Sequence, residues 1–328
     1  MKTTHSIGAA RKSHKGAAAK GVAIAALGWI VALGVPTPAF AQIVAPDIPT
    51  EAPTRRSAVA DDYETARSMA MGLGARASAT STSAVAQNAA GLSIGRHYHI
   101  ETAVTYLPQV GRFTSGGAVA DSFSGPVNMG VNFRYVHGNG EEGHGGYDGR
   151  ISLGLPLGDN FAIGASGRYI SFWREGEENA DDDPYAEHIT IDGSIRVTPV
   201  PGLHFAALGY NLIDVGSALV PVMVGGSASY TIDNTFTLAF DGLADLSTYK
   251  YEDGTIRPEG QFGGALEFFT GEIPIRAGYM YDTGRDLHYV TAGLGWMNES
   301  LGIDLAVRQQ VTGPLDTWML ASFRYFIQ

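Results

Sequence analysis

The chain has 328 residues, 45% of them hydrophobic, a formal net charge of −11 and no cysteine. That acidic balance excludes the electrostatic footprint of a nucleic-acid partner and argues against docking to anionic lipid. No disulfide holds the fold, although an exported chain meets an oxidising compartment that would let one form.

Residues 1–41 read as a signal peptide. Lys2, Arg11, Lys12, Lys15 and Lys20 precede an apolar stretch from Val22 to Val35, and Ala39-Phe40-Ala41 supplies a small-x-small cleavage signal. The apolar stretch falls short of the roughly twenty residues a spanning helix needs, and no later stretch approaches that length. An exported chain without inner-membrane helices is the expectation, and cleavage leaves it more acidic still. Residues 42–65 are rich in Ala, Pro and Thr without periodicity, and read as a periplasmic linker.

Residues 66–96 differ. Ala66 to Thr80 and Ser81 to Leu92 are dominated by small side chains, with too few large apolar groups to form a domain of their own. The segment needs a host.

Residues 97–328 supply one. From Tyr98 onward roughly fourteen segments of about ten residues alternate apolar with small or polar side chains. Ile151, Leu153, Leu155 and Leu157 share one face of a predicted strand while Arg150 and Ser152 share the other; Ile189, Ile191, Ile195 and Val197 likewise oppose Thr190, Asp192, Ser194 and Arg196. A period of two makes one side of the sheet greasy and the other wet. Such a chain crosses the inner membrane without being retained, then satisfies every backbone amide by closing in the outer membrane. The expected fold is all-β: a transmembrane antiparallel up-and-down β-barrel of about fourteen strands, with residues 66–96 in its lumen.

The connections support that count. Gly125-Pro126, Gly158-Asp159, Asp233-Asn234 and Gly271-Glu272 are tight turns that all follow even-numbered strands; His137 to Asp148, Arg174 to Ala186, Ile213 to Pro221 and Ser247 to Gly260 are long and follow odd-numbered ones. Short periplasmic turns and long external loops are the barrel pattern, and both termini then fall on the periplasmic side. The seventh strand is predicted to run from Leu203 to Leu212. Parity turns Met129, Val131 and Phe133 toward lipid. It turns Arg134, Arg168, Asp192, Arg196, Glu267, Arg276, Asp304 and Arg308 toward the lumen, together with Arg150, Asp241 and Arg324. Each reads by itself as a member of a satisfied lumen ion pair.

Arg67-Ser-Met-Ala-Met-Gly72, an Ala- and Ser-rich stretch, and Asn88-Ala-Ala-Gly-Leu92 together resemble the start of the FadL family of outer-membrane transporters for hydrophobic compounds, with its PorV-like relatives. The resemblance implies an N-terminal hatch folded into the barrel, to which Arg67, Met71, Gly72, Asn88, Gly91 and Leu92 belong. It also implies a lumen route for an apolar ligand and lateral release into the membrane. Two departures stand out: Ala89 occupies the family's proline position, and Gly72-Leu-Gly74 replaces its paired glycines.

Other chemistry is weak. The loop from Arg174 to Glu187 is dense in carboxylates but lacks the spacing of a calcium loop, and reads as a solvated face. His137, Glu141, Glu142 and His144 sit among glycines, without the oriented surroundings a metal needs. No nucleophile elbow accompanies the scattered His99, His188, His204 and His288. Phe323, Tyr325 and Ile327 form an outward row on the last strand, ahead of Gln328.

The expectation is a passive, cofactor-free, non-enzymatic transporter of long-chain fatty acids or other hydrophobic small molecules, with no catalytic or metal site. It sits in outer-membrane lipid of a Gram-negative bacterium. Gly154 with Pro156, or the Pro221 end of the eighth strand, are the candidate lateral openings. A non-transporting scaffold with an exported-protein partner and a general polar pore are the alternatives.

Overall fold

A computed structural model describes residues 65–137, 144–174, 186–216, 220–248 and 257–327. The signal peptide, nearly all of the linker, Glu141, Glu142, residues 175–185 of the acidic loop and Gln328 lie outside the described residues.

The described residues form fourteen antiparallel strands: β1 (Tyr98–Leu107), β2 (Arg112–Asp121), β3 (Asn128–His137), β4 (His144–Pro156), β5 (Phe161–Arg174), β6 (Ala186–Val200), β7 (Leu203–Tyr210), β8 (Met223–Ile232), β9 (Phe236–Asp245), β10 (Glu259–Thr270), β11 (Ile273–Asp282), β12 (Leu287–Met297), β13 (Leu301–Gln310) and β14 (Thr317–Ile327). Each pairs with its sequence neighbour, and β1 closes on β14 from Tyr98↔Ile327 to Tyr106↔Met319. Closure leaves no unpaired edge.

Alternation builds the two faces. Ile189 is 68% exposed, Ile151 62% and Phe240 58%, whereas Thr190, Ser152 and Asp241 on the opposite parity are buried. An exposed apolar belt running round the whole wall is tolerable only against lipid. No helix among the described residues is long and apolar enough to cross a membrane. Tight turns cluster at the end that carries both barrel termini. Asp233 and Asn234 there hold φ of 50° and 52°, the left-handed pair that suits a two-residue hairpin between right-twisted strands.

β7 is shorter than the pattern suggested. It stops at Tyr210 because Asn211 adopts φ 51° and turns the chain inward, so Leu212 is outside the strand. The β6–β7 ladder consequently begins only at Gly193↔Gly209.

Residues 65–95 stand inside the wall. Helix α1 (Ala66–Ala70) touches β11 to β14, a 3-10 turn at Arg76–Ser78 touches β7 to β9, helix α2 (Ser81–Gln87) touches β1 to β4, and a second 3-10 turn at Ala89–Ser93 touches β3 to β6. Thr65 starts α1 with a reciprocal cap: its Oγ1 accepts from Ser68 N–H at 3.2 Å, and Ser68 Oγ accepts from Thr65 N–H at 2.8 Å. Small side chains on the segment meet missing side chains on the wall. A Cβ on Gly164 would stand 2.1 Å from Ala90 N, one on Gly130 2.3 Å from Val85 Cγ2, one on Gly263 2.4 Å from Leu73 Cβ, and one on Gly293 2.4 Å from Ala70 Cβ.

Gly164→Ala should therefore unseat the Ala89–Ser93 turn while the barrel still folds. Limited trypsin digestion read by mass spectrometry should show faster cleavage at Arg76 in that variant. Gly167→Ala, which meets nothing within 4 Å, should leave the rate unchanged.

Candidate functional site: the lumen and its internal segment

Backbone groups of an irregular segment need partners wherever water is excluded, and the inward strand positions provide them. Asp241 on β9 accepts from the backbone N–H groups of Ala75 and Arg76, both at 2.9 Å. Ser227 on β8 accepts from Ala77 N–H at 2.8 Å, and Ser194 on β6 accepts from Ala90 N–H at 3.0 Å. Thr291 on β12 donates to Ala70 O at 2.9 Å and accepts from Gly72 N–H at 3.1 Å. Ser152 donates to Val85 O at 2.7 Å, Arg150 to Ala86 O and Tyr210 to Gln87 O.

Charges tie the segment down at two further points. Arg67 on α1 binds both oxygens of Glu267, at 2.9 Å and 3.1 Å. Glu267 also takes Arg276 Nε at 2.6 Å, Arg276 Nη1 meets Asp304 at 2.5 Å, and Arg324 Nη2 meets Asp304 at 3.9 Å and Glu101 at 3.2 Å. Glu101 then accepts from Thr82 of α2. One chain of buried charges thus leaves α1, crosses β10, β11, β13, β14 and β1, and returns to α2.

A second group of charges lies nearer the loop end. Asp148, fully buried, holds Arg168 at 2.6 Å and Arg134 at 3.2 Å. Arg168 Nη1 donates to Asn211 at 2.9 Å, and Asn211 donates to Pro221 O at 2.8 Å. These bonds draw Asn211 and Pro221 inward, and Val220 is buried against Val136, Ile170 and Phe172. Arg150 pairs with Asp192 at 3.4 Å, and Arg308 lies over the rings of Tyr289 and Trp318 at 6.0 and 5.9 Å.

The inward position of Arg134, Arg168, Asp192, Arg196, Glu267, Arg276, Asp304 and Arg308 is thus a feature of the structure, as is burial of Met71, Gly72, Asn88, Gly91 and Leu92 beside Arg67. Asn88 Nδ2 donates to Arg76 O at 2.9 Å, and Gly91 passes so close to Ala79 O that a Cβ would stand 2.2 Å from it. The histidines serve different ends. His99 Nδ1 meets Ser81 at 2.5 Å, His204 contacts Thr198 and Arg196, and His137 stacks on Phe113 with ring centroids 4.0 Å apart. His288 stacks on Tyr281 at 4.4 Å. At Gly154 the β4–β5 ladder runs on unbroken to Pro156↔Ala162, and the glycine instead makes room for Ala89 O and Leu92.

The charge-based reading missed an apolar patch. Leu107, Leu208, Met223, Leu243, Met280, Tyr289, Trp318 and Leu320 all face inward in the loop-side half of the barrel, buried together with Met69 and Leu73 of the segment. Parity contained the signal: Trp318 and Leu320 share the face of Arg324, and Met280 shares that of Arg276. Cavities beside the segment are small, about 40 Å³ next to Thr65, Glu101 and Thr114 and about 10 Å³ between Gln87 and Arg150. Those are volumes for water.

No protein-family model matches the sequence, and no curated protein is similar to it. The structure does have neighbours. The toluene transporter TodX of Pseudomonas putida superposes with a TM-score of 0.52 at 11% identity, over 80% of this chain and 98% of that one. A FadL homologue of Pseudomonas aeruginosa gives 0.52 at 13% identity, over 75% and 93%. The chain has the fold of FadL-type barrels. With its lipid-facing belt, that fold places the chain in the outer membrane of a Gram-negative bacterium.

Glu267→Gln would leave Arg67 and Arg276 buried without their shared carboxylate, and should destabilise the protein by about 3–5 kcal/mol in denaturant unfolding. Tyr169→Phe removes an exposed hydrogen bond to Glu187 of 2.7 Å and should leave the unfolding midpoint in denaturant essentially where it was, because solvent screens such a bond.

Proposed function

We propose that the protein is a passive outer-membrane transporter of hydrophobic small molecules, with long-chain fatty acids and monoaromatic compounds as the candidate cargo classes. Residues 66–96 act as its hatch. The observation that carries this reading is the buried apolar patch of Met280, Trp318, Leu320 and their neighbours, lying on the loop side of a segment held to the wall by hydrogen bonds rather than by a core of its own. A polar pore has no use for large apolar side chains at inward positions, because lumen faces are polar by default. The fold's neighbours support the same reading, since TodX is a toluene transporter.

In mechanism, cargo enters through the external loops, partitions onto the patch, and waits for the hatch to yield. Each contact is weak enough to leave, which conduction through successive sites requires. Of the two candidate exits, the unbroken β4–β5 ladder at Gly154 argues against the first; the second, beside the inward turn at Asn211 and Pro221, would open only if bonds such as Leu212 N–H to Ile191 O, 2.8 Å, gave way.

Purified protein in mild detergent, extracted and compared by mass spectrometry with an unrelated barrel from the same membrane, should carry an enriched apolar compound. Met280→Asp should lose it. Absence of enrichment together with a retained protein partner would favour the scaffold reading, and high conductance of the unaltered protein in planar bilayers would favour the polar pore.

A further inference from the structure

Most of the buried and half-buried lumen arginines described above have a carboxylate: Arg67, Arg76, Arg134, Arg150, Arg168, Arg276 and Arg324 each lie within 4.0 Å of one. Arg196 does not. It is 7% exposed, and its hydrogen-bond partners among the described residues are neutral: Nη2 reaches Thr198 Oγ1 at 2.7 Å and His204 Nδ1 at 3.3 Å. A buried cation without a counter-charge is costly, which makes such a site a place to look for a bound anion.

The geometry identifies what the partner must accept. A guanidinium only donates, so Thr198 Oγ1 accepts from Arg196 and turns its own hydrogen to His204 Nδ1, 2.9 Å away. That fixes the imidazole proton on Nε2. Ser229 lies directly opposite His204 in the β7–β8 ladder, is 3% exposed, and its hydroxyl has no partner. Arg196 Nε is likewise buried without one. Arg196 Nε–H, His204 Nε2–H and Ser229 Oγ–H are then three uncommitted donors on three adjacent strands, β6, β7 and β8, all facing inward. The cluster lies two residues closer to the turn end than Ser194 and Ser227, which hold the segment, so it sits on the turn side of the hatch. His204 is half-buried, leaving an approach from that end.

We infer that Arg196, His204 and Ser229 form a binding site for a phosphate-type oxyanion at the turn-side end of the lumen. Charge-assisted bonds from a guanidinium to such an oxygen are among the strong ones, and the flanking hydroxyl and imidazole donors fix its orientation. The site stands apart from the apolar patch, and its existence does not depend on the transport reading.

The test uses the full folded barrel in neutral detergent at low ionic strength, its thermal unfolding followed by the heat-dependent shift in gel mobility. Inorganic phosphate and dodecyl phosphate are the two probes. Phosphate should raise the unfolding midpoint of the unaltered protein, and Arg196→Gln should raise the half-saturating concentration at least about tenfold. Without phosphate, Arg196→Gln should melt no lower than the parent, because it removes an uncompensated charge; a purely structural arginine would give the opposite. Ser229→Ala should weaken binding while retaining the response. A response to both probes assigns the site to a free anion, and a response to dodecyl phosphate alone assigns it to an amphiphile's head; each is lost in Arg196→Gln. No Arg196-dependent shift with either probe overturns the proposal, whatever becomes of the apolar compound retained by the same preparation.

Discussion

A backbone amide in hydrocarbon has no water to bond to, and the rest of this structure follows from that. The requirement forces β1 to meet β14, and closure gives every strand residue a fixed inside or outside. Polar side chains are then confined to the lumen, where their charges must find one another. The chain of pairs from Arg67 through Glu267, Arg276, Asp304 and Arg324 to Glu101 is the result. An internal segment of small residues can sit in such a lumen because the same inward row offers bonds to its backbone.

This mode of attachment has an energetic character of its own. The segment is held by many single hydrogen bonds, each contributing on the order of 1 kcal/mol net, and by the bidentate Arg67–Glu267 pair. Bonds to Asp241, Ser194 and Thr291 lie on different sides of the wall, so none has to break for another to do so. Strands paired along their full length are far harder to separate. Rearranging the segment therefore asks for less than separating any two of the strands around it.

Much of this was legible in the sequence. A period of two is a local property, and it assigned Ile151, Thr190 and Asp241 to their faces without any knowledge of neighbours. Alternating short and long connections oriented the barrel for the same reason. What period cannot convey is which inward residue meets which. That Asp148 serves two arginines while Arg196 meets no carboxylate among the described residues depends on side-chain reach across strands, not on parity. Charge does not mark the apolar patch, and Met280 and Leu243 are ordinary residues until the closed barrel turns both toward the same interior. Alternation alone carries β7 on to Leu212; the left-handed turn at Asn211, held by Asp192 and Pro221, overrides it. The wall glycines were likewise silent, since each answers to an atom far away in sequence.

Gly130, Gly164, Gly263 and Gly293 are shaped to a segment that precedes all of them in the chain and is joined to β1 within a few residues. Its partners are spread from β1 to β14, so the wall is complementary to the segment around its whole circumference and not along one strand. Without the segment, Asp241, Ser194, Ser227 and Thr291 would face the lumen with none of the backbone groups they now bond, and the glycine positions would be open space where they now touch it.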